Sequence, residues 1–118
     1  MRLTAKEQEV IDRLIYTGLP KNVAKSLTVV FRESETRSVD IEQATGLRQP
    51  EVSIAMQHLR KAGWIKKRDI KKEGKGRPTH AYTLKKSKSA ILAEIEKGEK
   101  KKIKDIEKNL TALQKILS

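Results

Sequence analysis

Apolar residues recur along this chain at spacings that switch from helical to strand-like and back. Val10, Ile11, Leu14 and Ile15 share one face of a helix expected over residues 4–17. Thr4 and Glu7 stand three apart, the spacing of a capping box, and Gly18 stops the helix. Pro20 opens a second helix, expected over residues 20–34. Its apolar face is Val23, Leu27, Val30 and Phe31, with Ala24 beside it. The polar stretch 34–38 reads as a loop. A brief helix follows over residues 40–45, with Asp40 as its N-cap and Gly46 as its breaker. Gln49-Pro50 then starts a helix that runs to about Ala62. Proline in a first turn loses no hydrogen bond, and Gly63 supplies the stop.

After Gly63 the period shortens. Residues 64–70 (WIKKRDI) alternate imperfectly between apolar and basic and predict a strand. Residues 71–78 (KKEGKGRP) hold Gly74, Gly76 and Pro78, which forbid a helix and predict a turn. Residues 79–84 (THAYTL) complete an antiparallel hairpin with a long basic tip. From about Ser87 to Leu117 the pattern is helical once more. Ile103, Ile106, Leu110, Leu113 and Leu117 step by 3, 4, 3, 4, an a/d seam of the coiled-coil kind. Ile91, Leu92 and Ile95 are apolar upstream, but the heptad phase does not extend cleanly through residues 98–102, and Gly98 is expected to mark a kink or register change.

The two helices within residues 39–63 carry the tightest pattern. Ile41, Ala44, Leu47, Val52, Ala55, Met56 and Leu59 form an inward set around Gly46, where the chain reverses. This is the spacing of a helix-turn-helix. With that set inward, helical geometry turns Gln49, Pro50, Ser53, Ile54 and Gln57 outward, with Arg48 leading in and Lys61 at the far end. Arg and Gln pair bidentately with guanine and adenine edges, Ser reaches a base or a phosphate, and Ile touches a thymine methyl. Glu51 shares the first turn, where a carboxylate stabilises the positive end of the helix.

Charge strengthens this reading. The 118 residues carry a net charge of +12, unevenly spread. Residues 1–46 are neutral, whereas residues 47–86 hold twelve basic and three acidic side chains. Three-quarters of the excess thus sits on one third of the chain, and a polyanionic partner is the simplest reason. The hairpin tip supplies Lys71, Lys72, Lys75 and Arg77, suited to phosphates or a minor groove. Aromatics make up 3% of the chain, too few for a base-stacking platform. Cysteine is absent, which excludes disulfides and thiolate metal sites. His58 and His80 are two histidines without further ligands, so no metal and no cofactor is expected. No nucleophile–base pair or carboxylate dyad appears, so an enzyme is not expected either. No apolar run spans a bilayer and no signal peptide opens the chain, so a cytoplasmic protein is expected.

Residues 39–84, through ATGLRQPEVS, HLRKAGWI and GKGRPTHAYTL, resemble the winged helix-turn-helix of MarR-, ArsR- and TrmB-type prokaryotic regulators, most of all the small predicted regulators of archaea. The resemblance implies a mainly α fold with a small β-hairpin (α+β), a winged helix-turn-helix domain over residues 1–86. Within it, residues 49–62 form the recognition helix and residues 71–78 the wing. Arg48 departs from the Ser or Thr common at that place. The ArsR metal thiolates are missing, and a sugar-binding domain has no room, so a small-molecule effector is not supported.

A helix over residues 87–118 would be roughly 45 Å long, with its apolar seam in water. A second copy would cover it. Ile91, Ile95, Ile103, Ile106, Leu110, Leu113 and Leu117 are therefore the expected homodimer contacts. The expected function is a dimeric regulator that binds double-stranded DNA. The alternative is an architectural DNA coater or a winged-helix protein-interaction module.

Overall fold

The computed structural model describes residues 2–70 and 79–118. Its elements run α1 (Ala5–Tyr16), α2 (Lys21–Val30), β1 (Thr36–Arg37), α3 (Ser38–Thr45), α4 (Gln49–Lys61), β2 (Ile65–Ile70), β3 (Thr79–Leu84) and α5 (Lys88–Leu117). The fold is mainly helical with a small antiparallel sheet, as the pattern of periods implies. The chain forms two compact units, Met1–Lys88 and Ser89–Ser118.

In the first unit α2 is the central element. Seven of its ten residues are buried, and it packs on α1, α3, α4 and β3. The core gathers Ile11, Leu14, Val23, Ala24, Leu27 and Val30 with Ile41, Val52, Ala55, Met56 and Leu59. Trp64, Ile65, Ala81 and Tyr82 add buried side chains from the sheet and the residue that leads into it. Val10 and Ile15, expected beside Ile11 and Leu14, lie at the edge of the α1 face and are about one-third exposed, at 37% and 36%.

The first helix begins as its sequence implies. Thr4 N–H donates to Glu7 Oε1 at 2.9 Å, and Glu7 N–H donates to Thr4 Oγ1 at 3.1 Å. Glu7 also takes both arms of Arg32, at 2.5 and 2.7 Å, so one carboxylate caps α1 and ties it to the end of α2. The Arg32 guanidinium, followed by the Thr4 hydrogen bonds, holds the Glu7 carboxyl down to about 2 from its ordinary 4.5.

Four details differ from the expectation. The stretch 34–38 is not wholly a loop, because Thr36 and Arg37 form β1 and pair with Tyr82 and Ala81. The sheet therefore has three strands in the order β1-β3-β2. The short helix α3 starts at Ser38, and Asp40 caps it from its third position by accepting the Arg37 N–H at 3.1 Å. The second helix ends at Val30, earlier than the pattern implied. In the second unit, α5 continues through Gly98 without interruption.

Candidate nucleic-acid interface

The helix-turn-helix is built by α3, the turn at Gly46 and α4. Gly46 adopts φ +76°, the left-handed conformation that a side chain resists, and its N–H donates to Glu42 O at 2.8 Å. Thr45 Oγ1 donates to Ile41 O at 2.6 Å and accepts the Leu47 N–H at 3.1 Å. One hydroxyl thus stitches both sides of the turn, and Leu47 closes it from inside.

The fourth helix splits cleanly by face. Val52, Ala55, Met56 and Leu59 are at most 1% exposed. Arg48, Gln49, Pro50, Ser53, Ile54, Gln57 and Lys61 are all exposed. Ile54 stands 69% in solvent, an apolar side chain amid the polar ones of that face. Glu51 accepts the Arg48 N–H at 3.0 Å and meets Asn22 Nδ2 of α2 at 3.4 Å. It completes the helix start, as its position implied. The side chain of Arg48, at the N-cap, makes no capping bond and stays exposed.

Beside this face lies a feature that periodicity did not reveal. A groove of about 490 Å³ runs between the C-terminal half of α4 and β2, lined by Gln57, Arg60, Lys61, Ile65, Lys66, Lys67 and Lys85. Among the described residues, five of those seven side chains are cationic and none is acidic. A second groove, of about 460 Å³ and lined by Ile54, Gln57, His58, Lys61 and Ala62, shares Gln57 and Lys61 with it. The outward face of α4 therefore opens directly onto a cationic trough. Register explains why Lys85 belongs there. Ile65 pairs with Leu84, and Lys85 N–H donates to Trp64 O at 2.8 Å, so the chain after β3 returns to the start of β2.

Two other polar side chains nearby are engaged by their own neighbours. Arg68 makes a bidentate pair with Glu35 at 2.8 and 3.0 Å. His80 Nδ1 lies 2.8 Å from Asp69 Oδ1 across the β2–β3 pair. On the buried side of β3, burial pushes the Tyr82 hydroxyl up, partly offset by its hydrogen bond with Ser38. The phenol is neutral and structural. Lys71, Lys72, Lys75 and Arg77 of the expected wing lie outside the described residues.

On α5, Ile103, Ile106, Leu110 and Leu113 are about half exposed, and Leu117 is more so. Ile91 differs from the rest of the expected dimer contacts. It is fully buried in the single chain, and Ile95 is intermediate, so the exposed seam begins downstream of both. Among the described residues, no helix is long and apolar enough to cross a membrane.

Comparison with known proteins gives the fold a family. Comparison with curated proteins finds no match. Among solved structures, S. aureus MepR in its DNA-binding conformation is similar at 16% identity, over 96% of this chain and 90% of that one, with a TM-score of 0.47. A family model described as the TFIIE alpha subunit matches residues 8–115, nearly the whole sequence. The chain belongs to the TFIIE alpha subunit family of winged-helix transcription factors.

Proposed function

We propose that this protein regulates transcription by binding double-stranded DNA as a homodimer, with α4 in the major groove. The observation that carries the reading is the split of α4. One face is sealed into the core, and the other presents Arg48, Gln49, Ser53 and Gln57 beside an acid-free cationic groove. Polar side chains on an exposed helix are common, but a helix face that merges with five cations suits a base edge flanked by phosphates. Arg48, Gln49, Ser53 and Gln57 read bases, and Ile54 packs on a thymine methyl. Arg60, Lys61, Lys66, Lys67 and Lys85 hold the backbone. Lys71, Lys72, Lys75 and Arg77 extend that hold as a wing. The exposed seam of α5 joins two copies. The protein acts wherever the cell keeps its DNA.

The cationic groove by itself also favours a second reading, a coater that binds every duplex alike. Titration against selected genomic fragments and random duplexes separates the two. A regulator shows a specificity ratio of roughly 10³ or more, and a coater shows one affinity with a steep salt slope. In a regulator, Gln49→Ala weakens selected sites by roughly 1–3 kcal/mol and leaves random DNA nearly unchanged. Equal loss on both would remove Gln49 from base reading.

A further inference from the structure

The seam of α5 carries information about orientation as well as about pairing. With Ile103, Leu110 and Leu117 at a, and Ile106 and Leu113 at d, the flanking positions follow. Lys102 falls at g and Glu107 at e, while Asn109 and Gln114 are uncharged at the next g and e. Upstream, Glu96 and Glu99 occupy the a and d places, and each is engaged within its own helix. Glu96 meets Lys100 at 2.8 Å and Glu99 meets Lys102 at 2.7 Å.

We infer that α5 pairs with a second copy of this chain as a parallel, in-register coiled coil over residues 103–117, opening upstream of Lys102. This rests on the dimer reading and adds its direction. In the parallel arrangement all five apolar layers meet their own kind. Position g of one helix faces e of the next heptad across the interface, so Lys102 meets Glu107 of the second copy twice per dimer. Reversing one helix alters both terms. With Ile103 set against Leu113 and Ile106 against Leu110, only four apolar layers remain, and Leu117 falls opposite Glu99. Like positions then face each other along the flanks, which brings Glu107 against Glu107 and Lys102 against Ile116. Apolar coverage and charge thus agree on the parallel form. Glu96 and Glu99 would meet their own copies if the parallel zipper continued, so the two helices part there. Both winged-helix units then leave from the same end of the coil. Two recognition helices address neighbouring stretches of one duplex, whereas an antiparallel rod would send them to opposite ends.

The chain contains no cysteine, so single thiols report orientation in the full-length protein. Leu117→Cys places two sulfurs in one layer of the parallel coil, within disulfide reach. In the reversed coil they stand about 27 Å apart, and residue 117 instead faces residue 99. Leu117→Cys and Glu99→Cys proteins are mixed, oxidised mildly and resolved by mass. A dominant 117–117 disulfide is the expected result. A dominant 117–99 disulfide overturns the orientation and leaves the dimer standing. No disulfide, with sedimentation as a monomer at micromolar concentration, overturns both. As a second readout, Lys102→Glu raises the dimer dissociation constant by about tenfold, since two attractive pairs become repulsive. Adding Glu107→Lys restores it. Failure of the double charge swap to rescue would refute the parallel pairing.

Discussion

Removing Lys61 and Lys85 together tests whether the groove beside α4 holds the DNA backbone. Lys61 sits in the last turn of α4 and Lys85 just after β3, yet both line the same trough. Both side chains are exposed, so the Lys61→Ala, Lys85→Ala double variant leaves the core intact. Each phosphate neutralised by a protein cation releases condensed counterions and adds about 0.9 to the slope of log affinity against log salt. Two lost contacts lower that slope by about 1.8. Between 50 and 200 mM salt, a fourfold change, the wild-type protein therefore loses about 12-fold more affinity than the variant. Fluorescence anisotropy on a random duplex at four salt concentrations measures both slopes. Circular dichroism confirms that the variant stays folded. The loss is sequence-independent, so a selected site and a random duplex suffer alike. An unchanged slope would refute the assignment of the groove to phosphates. A change confined to the selected site would transfer these lysines to base reading.

Three further outcomes follow from the fold. Glu7→Gln removes the carboxylate held down to about 2 by Arg32. A lowered carboxyl stabilises the fold fully above its ordinary value and loses that effect as pH falls from 4.5 through 2. Urea unfolding at fixed protein concentration should show a deficit of about 1–2 kcal/mol at pH 7 that vanishes near pH 2, and a deficit constant with pH would refute the linkage. Leu59→Ala empties a fully buried site where α4 meets the core and should cost about 2–5 kcal/mol in the same assay, while a cost under about 1 kcal/mol would mean that the site collapses. Gly46→Ala meets no atom within 4 Å, so only its left-handed backbone resists, and a cost of about 1–2 kcal/mol is expected; Gly46→Asn should cost less, and equal losses would point to something other than backbone conformation.

Much of the helix-turn-helix was legible because its physics is local. Val52, Ala55, Met56 and Leu59 recur at one helical face, and burial follows that face. Gly46 and Gly63 end two helices at positive φ, where glycine alone is at ease. Trp64, directly after Gly63, is 8% exposed. The strand β1 was not legible. Two residues make no alternating pattern, and Thr36–Arg37 becomes a strand only because β3 lies alongside. The groove was hidden for a related reason. Lys66, Lys67 and Arg60 stood out as charge, but their convergence with Lys85 depends on the register between β2 and β3. Lys66 and Lys67 are both exposed, and both line the groove. Ile91 was read as seam from its apolar character, and periodicity alone does not say that it is fully buried.

The junction after α4 deserves a mechanical reading. Gly63, at φ +78°, turns helix into strand within three residues, and Trp64 fastens both sides: its N–H donates to Leu59 O at 3.2 Å and its carbonyl accepts from Lys85. In the proposed complex, no hinge separates the α4 side chains assigned to a groove from the lysines assigned to the backbone beside it. The distance between those two grips is a fixed gauge, and a duplex whose local shape does not match it must deform to fit. Helical parameters of the DNA, at base pairs no side chain touches, thereby enter the binding energy. Lengthening the junction by a single glycine would slacken the gauge and erase that contribution while leaving every contacting residue in place.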